Sequence, residues 1–227
     1  MKRGRRLLIR LCVGIPLAFV LFSLGLVYFY KWAPVSTTPL MIRRMVEHRN
    51  DPAFRCERHW TPLSEISPDM IKAAVASEDM LFYEHDGFDW EMIRQVRRDH
   101  REKGTPLRGC STISQQTAKN VFTWGTATWA RKAIEAWWTV LIEKIWGKDR
   151  IMEVYLNVAE TGAGAFGAEA AAQRYYDEHA SELTLRQACE LIVCFPNPQQ
   201  RDPAWARTHW PSRIRQLMNL SASVSLP

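Results

Sequence analysis

The strongest pattern in the chain is a continuous apolar run, Leu7–Tyr30, in which Arg10 is the only charge. As a helix rising about 1.5 Å per residue, the run is long enough to cross the roughly 30 Å of hydrocarbon in a bilayer. Tyr28, Tyr30 and Trp32 suit an aromatic belt at one membrane interface, and basic residues precede the run. The pattern therefore predicts a transmembrane anchor with a cytoplasmic N-terminus.

A cleaved signal peptide is the alternative interpretation of this run. Signal peptides have an apolar region of roughly 7–15 residues and then small residues at the cleavage site. The run here is longer and ends in bulky aromatics, which favours an uncleaved anchor. We therefore divide the chain into a basic cytoplasmic tail (1–6), the anchor (7–30), a linker with a short amphipathic piece around Met41–His48 (31–61), and a globular domain outside the membrane (62–227).

Helical periodicity and helix-start signals dominate after residue 61. Helices tend to begin after Ser, Thr or Asp, with Pro at the first position and an acid in the first turn. These signals predict helix starts at Ser67 with Pro68, Asp89, Ser111, Thr128, Asp149, Thr184 and, for the last helix, Asp202 with Pro203, plus an Ala-rich helix over Phe166–Tyr176. Alternating runs of β-branched residues do not compete. The domain is predicted to be mainly α with one core.

The positive charge of the chain belongs to its N-terminal end. The formal net charge is +6, but six basic residues and no acids fall within the first 31 positions. Without those six, the 30 basic residues fall to 24, equal to the 24 acidic residues. The charge is therefore no indication of a nucleic-acid partner, which we do not predict.

The cysteines beyond the predicted anchor lie in a compartment that permits disulfides. They are Cys56, Cys110, Cys189 and Cys194. No C-x-x-C or His/Cys ligand spacing occurs, so no structural zinc site is predicted. Disulfide pairing cannot be read from sequence, and burial as small hydrophobic side chains is the favoured interpretation.

The first stretch that suggests chemistry is EDMLFYEHDGFDW, Glu78–Trp90, where two carboxylates come at the expected end of the Ser67 helix. The aromatics Phe82, Phe88 and Trp90 follow closely. Partial burial against aromatics favours the protonated form of a carboxylate, which suits acid–base catalysis. By pattern alone, however, a solvated helix end is the stronger interpretation.

The second stretch is GCSTISQQTAKN, Gly109–Asn120, which is rich in hydroxyls and amides. On a helix, Thr112, Gln116 and Lys119 are spaced by four and three residues and share a face. Beside a helix N-terminus, such a face can hold a sugar and a phosphate. A solvent-facing polar stripe is an equally good interpretation of the pattern.

The third stretch is RKAIEAWWTVLIEKIWGKDRIMEVYLN, Arg131–Asn157. Arg131 and Lys132 lie four and three residues before Glu135, the spacing of helical ion pairs. Such pairs usually lie on the surface and contribute little to stability. The surrounding apolar bulk, including Trp138, argues instead for a helix through the core whose charged cluster faces a cleft.

Together, in this order, the stretches resemble the motifs of the peptidoglycan glycosyltransferases. The first family motif, ED-x-x-F-x-x-H-x-G, corresponds to EDMLFYEHDG, and the second, GGST-I/L-x-QQ-x-x-KN, to GCSTISQQTAKN. The third begins RK-x-x-E and ends near ILE-x-YLN, here RKAIE and IMEVYLN, and a fourth appears as GAEAAAQRYY. The resemblance covers Pro62 to about Pro198. It implies a mainly α, lysozyme-like domain in two lobes with a cleft between them, here carried by one N-terminal transmembrane helix.

The resemblance implies that the substrate is lipid II, a disaccharide-pentapeptide on undecaprenyl pyrophosphate, which the family polymerises into glycan strands with inversion at the anomeric carbon. By motif position, Glu78 is the general base for the 4-hydroxyl of the acceptor sugar. Glu135 is the second catalytic carboxylate, which orients the donor region or helps place a cation. Asp79, Phe82 and His85 match positions that shape and support the substrate site.

The remaining motif positions are implied to bind the substrate. Thr112, Gln116 and Lys119 match the polar face of the second motif. Lys119, Arg131 and Lys132 are implied to hold the pyrophosphate of the donor, whose charge grows in the transition state. No obligatory cofactor and no dedicated metal site are predicted. A Mg²⁺ or Mn²⁺ ion that bridges the pyrophosphate, as in some family members, is left open.

The chain departs from the family pattern at three places, of which Met152, where the family often has leucine, is a mild change. Cys110 replaces the second glycine of the second motif, which puts the backbone freedom of that turn in question. The basic segment from Trp90 to Arg108 has no match, and Arg94, Arg97 and Arg98 within it are read as a solvated helix face rather than as phosphate ligands.

Three functional alternatives follow from the sequence. The absence of S-x-x-K argues against a transpeptidase module and favours the monofunctional form of the family. A lytic, lysozyme-like enzyme would share the fold and the glutamate but would not need the cations. A non-catalytic scaffold would tolerate the loss of the glutamate or of the cations.

The predicted partners are lipid II, the growing glycan strand and the bacterial inner membrane, with the domain in the periplasm. Partners among cell-division or wall-synthesis proteins are left open.

Overall fold

The computed structural model describes residues 2–106, 109–124 and 128–227, with side chains from residue 12 onward. Its first element is helix α1, Lys2–Trp32. Within α1, Cys12–Trp32 is 21 residues long with a mean hydropathy of 2.2, which is enough by length and composition to cross a membrane. Only 11% of the most apolar part of this stretch is buried, whereas a core helix of a soluble protein is mostly buried.

The segment predicted as a linker contains helix α2, Pro39–Glu47, which overlaps the amphipathic piece around Met41–His48. The hydroxyl of Thr38 caps α2 by accepting a hydrogen bond from Met41 N at 3.2 Å. From α2, Arg44 donates to the carboxylate of Glu160 at 2.8 Å. This part of the chain therefore packs on the globular domain, while the boundary at residue 61 stays a prediction.

The rest of the chain is built mainly from helices, as predicted. They are α3 (Pro68–Glu78), α4 (Trp90–Lys103), α5 (Ile113–Phe122), α6 (Trp129–Ile145), α7 (Lys148–Val158), α8 (Ala168–Tyr176), α9 (Leu185–Ile192), α10 (Pro203–His209) and α11 (Pro211–Ala222), after a short 3-10 turn at Leu63–Glu65. The predicted N-caps that the structure confirms each accept a backbone hydrogen bond with the side chain: Ser67, Asp89, Thr128, Thr184 and Asp202.

The predicted cap at Ser111 is wrong by one residue. Thr112 caps α5, because its hydroxyl accepts from Gln115 N while the Gln115 side chain accepts from Thr112 N at 3.1 Å. This reciprocal capping box requires a Gln or Glu three residues after the cap, which Thr112 has and Ser111 lacks. Similarly, Gly147 rather than Asp149 precedes α7, and Asp149 lies in its first turn.

Two further helix predictions need correction. The Ala-rich helix begins at Ala168, because Phe166 belongs to a strand and Gly167 adopts a φ of +90°. The helix that Asp202 opens is not the last one. Pro211 starts a separate helix, since proline lacks the N–H that would continue α10 but is well suited to a first position.

A small sheet, which the sequence analysis did not predict, closes one side of the domain. Its strands are β1 (Glu57–Arg58), β2 (Glu160–Gly162) and β3 (Ala165–Phe166), in the order β1–β3–β2. β1 runs parallel to β3, and β2 runs antiparallel to it. Strands of two or three residues are too short to produce an alternating pattern.

Most of the described helices, α4 excepted, fall into two groups that share one apolar core. In the first group, α5 packs against α6 and α7; in the second, α3 packs against α9 and α11. Ile113, Phe82 and Tyr155 are buried in this core. Ile113 N, at the start of α5, donates to the carboxylate of Asp79, which caps the end of α3, at 2.9 Å. The C-terminal end of α3 therefore lies close to the N-terminal end of α5.

The predicted anchor is attached to the first group through α6. The Trp146 indole donates to Val27 O of α1 at 2.7 Å, and Val27 is fully buried. Further along, the ring of Phe19 lies 6.0 Å from that of Trp137 and 6.3 Å from that of Trp138. The apolar bulk of α6 thus serves partly to hold α1.

Candidate active site

A cavity of about 480 Å³ opens where the end of α3 meets the start of α5. The first and second sequence motifs supply most of its walls. Its described lining residues are Ala76, Ser77, Glu78, Asp79, Met80, Leu81, Asp89, Met92, Gly109, Cys110, Ser111, Thr112 and Gln116. The prediction that Glu78 ends a helix beside a cleft is confirmed.

Glu78 is the last residue of α3 and is only partly exposed. Gln116 Nε2 donates to its Oε2 at 3.0 Å, and Ser77 Oγ donates to its Oε1 at 3.1 Å. Two neutral donors fix the orientation of the carboxylate and leave its remaining lone pairs available. The arrangement is that of a proton acceptor held at the wall of a cavity.

Behind Glu78, Asp79 ties the first motif to the second. Its carboxylate accepts from His85 Nε2 at 2.9 Å and from Ile113 N at 2.9 Å. Because Gly87 N donates to His85 Nδ1 at 3.0 Å, the imidazole carries its proton on Nε2. Asp79 and His85 therefore fix the turn after α3 to the first residue of α5.

Phe82 supports the site from behind rather than lining the cavity. Its side chain is fully buried, and the ammonium of Lys148 lies 4.7 Å from its ring centroid. The other aromatics expected to back the glutamate do not line the cavity: Phe88 stacks on Trp90, which is 60% exposed. Among the described lining residues, the apolar wall consists mainly of methionine and leucine side chains.

The predicted polar face of α5 divides into parts with different surroundings. Thr112 is 3% exposed, and its hydroxyl donates to Gly87 O at 2.7 Å besides capping the helix. Gln116 reaches Glu78, whereas Lys119 lies a turn further on and is partly exposed. Burial, together with the nearby cations Arg131 and Lys132, lowers the pKa of Lys119 against the opposing pull of acidic neighbours.

The predicted cation–carboxylate cluster on α6 is present. Glu135 is 2% exposed, and its carboxylate pairs with Arg131 at 3.0 Å and with Lys132. Lys132 Nζ also donates to Ser111 Oγ at 3.1 Å, which joins the third motif to the second. The cluster faces Lys119 closely enough to influence its titration.

Another carboxylate beside the site, Glu143, has a side chain that is only 5% exposed and was not predicted from the sequence. It accepts from Ser114 and, at 2.8 Å, from Lys148 Nζ, which also donates to His85 O at 2.6 Å. A Cβ at Gly87 would lie 2.8 Å from Glu143 Cγ. The sequence did contain a signal for this network. Glu143 follows Leu141 and Ile142 on an apolar helix, and a carboxylate buried there needs a cation or a hydrogen-bond donor as its partner.

The described residues form neither a cluster of metal ligands nor a disulfide. No three His, Cys, Asp or Glu side chains there are grouped to hold a metal ion, and the Glu135 carboxylate is taken by its two cations. The cysteines are free thiols. Cys189 and Cys194 are buried as expected, whereas Cys56 and Cys110 are partly exposed and Cys110 lines the cavity.

On α4, the arginines of the basic segment point to solvent, as the sequence favoured. Arg94, Arg97 and Arg98 are exposed, and α4 reaches the cavity through Met92. Leu107 and Arg108, also in this segment, lie outside the described residues.

Comparison with known proteins agrees with the motifs. A family model described as transglycosylase matches residues 46–222. A biosynthetic peptidoglycan transglycosylase of Caulobacter vibrioides is 46% identical over 86% of this chain and 82% of its own length. Those of Rhodospirillum centenum and Stutzerimonas stutzeri are 44% and 45% identical, each over 86% of this chain and 83% and 81% of their own lengths. The chain therefore belongs to the transglycosylase family of glycosyltransferases, alongside these biosynthetic peptidoglycan transglycosylases.

Proposed function

We propose that the protein polymerises lipid II into peptidoglycan glycan strands with inversion at the anomeric carbon, releasing undecaprenyl pyrophosphate. The observation that carries the proposal is a carboxylate, Glu78, oriented in a cavity beside a cluster of cations. The relatives that bear the name biosynthetic peptidoglycan transglycosylase support the substrate class.

Glu78 acts as the general base in this reaction. It takes the proton of the acceptor 4-hydroxyl as that oxygen bonds to the anomeric carbon of the donor, while the bond from this carbon to the pyrophosphate breaks. The oxygen attacks the face opposite the leaving group, which inverts the anomeric carbon. No general acid is needed, because the pyrophosphate leaves as an anion.

Lys119, Arg131 and Lys132 stabilise the charge that develops on the pyrophosphate. Glu135 holds Arg131 and Lys132 in place through its ion pairs. Neither a hydrogen bond nor an ion pair engages the Lys119 ammonium among the described residues, so it is ready to meet an anion. A Mg²⁺ or Mn²⁺ ion, where one takes part, would neutralise the same charge and would be held mainly by the pyrophosphate itself.

The anchor places the enzyme beside its lipid-linked substrate. Basic residues precede the apolar stretch, which favours a cytoplasmic N-terminus and a periplasmic domain at the inner membrane. The packing of α1 on α6, through the bond from Trp146 to Val27 O, supports an uncleaved anchor, because cleavage would expose this apolar face of α6. Partners among cell-division and wall-synthesis proteins stay open.

The decisive experiment uses the purified full-length protein, labelled lipid II, and moenomycin, which inhibits this family at the donor site. We expect glycan polymer that moenomycin abolishes. Cleavage of preformed glycan without polymer would replace the proposal by the lytic alternative, whose fold is the same but which has no use for the cations. If the protein shows neither polymerisation nor cleavage, the non-catalytic scaffold would replace the proposal.

The Glu78→Gln variant tests the role of the base. The amide keeps the shape and the contacts with Ser77 and Gln116 but cannot accept the proton, so we expect polymerisation to fall by at least about 100-fold while lipid II binding is retained. Glu84→Gln, in an exposed residue of the same turn, is the matched control. Substantial turnover by Glu78→Gln would disprove the assignment.

A further inference from the structure

A second groove, of about 380 Å³, adjoins the active-site cavity on the opposite side of the α3 end. Both spaces are lined by Ala76 and Ser77. Ser77 is exposed and its hydroxyl donates to Glu78, so it forms the partition between the groove and the base. A substrate that reacts at Glu78 can therefore extend directly into this α3–α11 groove.

The walls of the α3–α11 groove are suited to a peptide. Leu217 and Val193 form an apolar floor, with 6% and 1% exposure. Ser212 and Gln216 are exposed four residues apart on α11, so they face the groove together. Backbone amides of an extended peptide can exchange hydrogen bonds with such hydroxyl and amide side chains.

The charge of the groove differs from that of the cavity. The described lining of the cavity includes Glu78, Asp79 and Asp89 but no Lys or Arg, whereas the groove is lined by Arg213 and by no acid. The guanidinium of Arg213 lies 4.9 Å from the ring centroid of Trp210, and no carboxylate of the described residues lies within 4.0 Å of it. The cations of α6 meet the cavity lining at Ser111, whereas on the Ser77 side the nearest lining cation is Arg213 of the groove. An anionic group that leaves the acceptor sugar past Ser77 is therefore attracted to Arg213.

Lipid II carries such a group on its pentapeptide, which ends in a carboxylate. Five extended residues reach about 17 Å, far enough to pass Ser77 from a sugar bound at Glu78. We propose that the α3–α11 groove binds the stem peptide of the acceptor, with Arg213 pairing with its carboxylate. This inference rests on the proposed function, because it assigns the peptide of that same substrate.

The test compares variants on two substrates: lipid II, and lipid II whose peptide carboxylates are converted to amides. Arg213→Gln should raise KM for lipid II by about threefold to tenfold, with kcat unchanged, and should leave KM for the amidated substrate unaltered. Arg213→Lys should restore most of the loss. Arg215→Gln, exposed on the same helix but outside the groove lining, is the control. Where the amidated substrate is not turned over, its Ki against labelled lipid II gives the same comparison.

Several outcomes would overturn the inference. An equal rise in KM for both substrates would mean that Arg213 does not pair with a carboxylate, and an unchanged KM for lipid II would mean that the groove is no subsite. Absence of polymer from the wild-type protein is a different result, because it removes the proposed function and the peptide assignment with it.

Discussion

At the scale of single residues, Lys119 carries the cost of placing a cation in the proposed donor site. Partial burial beside Arg131 and Lys132 disfavours its charged form, which lowers its pKa. A pyrophosphate bound at the proposed position would offset this repulsion and favour the charged form. The interaction of the Lys119 ammonium with a pyrophosphate should therefore be stronger than that of a solvated lysine.

Replacement of Lys119 should damage both donor binding and chemistry. A hydrogen bond to a charged group contributes about 1.5–3 kcal/mol, so Lys119→Ala should lower kcat/KM by about 10- to 100-fold. Lys144→Ala, an exposed lysine of α6, should change neither parameter. Steady-state polymerisation kinetics with labelled lipid II make the measurement, and wild-type constants for Lys119→Ala would contradict the assignment.

The lowered pKa of Lys119 also predicts a pH dependence. The lysine is protonated below its pKa and loses its charge as pH rises through it, so kcat/KM should fall at a pH lower than the usual range of lysine titration. Bound pyrophosphate favours the ammonium, and hence the alkaline limb of kcat should lie at higher pH than that of kcat/KM. Lys119→Arg, which stays protonated, should remove this limb; an unchanged profile would assign it to another group.

At the scale of elements, the turn between α3 and α4 is the most constrained part of the site. Gly87 has a φ of +88°, and a Cβ there would lie 2.8 Å from Glu143 Cγ and 2.9 Å from Thr139 Cγ2. The Glu143 carboxylate is itself held by Lys148, so it cannot easily move away. The turn that positions His85 therefore requires glycine at position 87, because any Cβ there would overlap α6.

The substitution Gly87→Ala should therefore be costly. The left-handed backbone costs an alanine about 1–2 kcal/mol, and the overlap with α6 adds about 1–3 kcal/mol. Gly104→Ala is the matched control, because Gly104 has a φ of +65° with no atom within 4 Å of its Cβ position, so it carries only the backbone penalty. Thermal unfolding in detergent should show the larger loss for Gly87→Ala, accompanied by reduced polymerisation. Equal losses would mean that the contact with α6 is unimportant.

The comparison of sequence with structure is clearest for these elements. Cap signals at Ser67 and Thr128 predicted helix starts correctly, because a capping hydrogen bond is local. The predicted cap at Ser111 was wrong because the partner at the third helical position, Gln115, selects Thr112. The ion pairs of α6 were predicted from their spacing. The network of Glu143 and the two- to three-residue strands depend on contacts between distant segments, which periodicity does not record.

At the scale of the whole molecule, the anchor and the catalytic domain form one packed body. The guanidinium of Arg150, on α7, donates to Tyr30 O at 2.7 Å and to Ala33 O at 2.5 Å, where α1 ends. It also stacks over Trp60 at 5.0 Å and pairs with Glu153. The last carbonyls of a helix lack partners within it, so an arginine satisfies them and complements the helix dipole. This contact fixes the direction in which the anchor leaves the domain.

The substitution Arg150→Ala should therefore separate anchoring from chemistry. It removes charged hydrogen bonds worth about 1.5–3 kcal/mol, so the chain after α1 should be cleaved faster in limited proteolysis. Polymerisation of lipid II in vesicles should fall, because the cleft is no longer held at a fixed position relative to the membrane. Activity on a short-chain, water-soluble lipid II analogue should persist. The described hydrogen bonds of Glu78 are with Ser77 and Gln116, and neither involves Arg150. Trp146→Phe removes the bond to Val27 O and part of a buried ring, so it should also loosen the contact between α1 and α6. Equal losses on both substrates would show that Arg150 supports the domain itself, and unchanged activity in vesicles would show that the anchor is merely a tether.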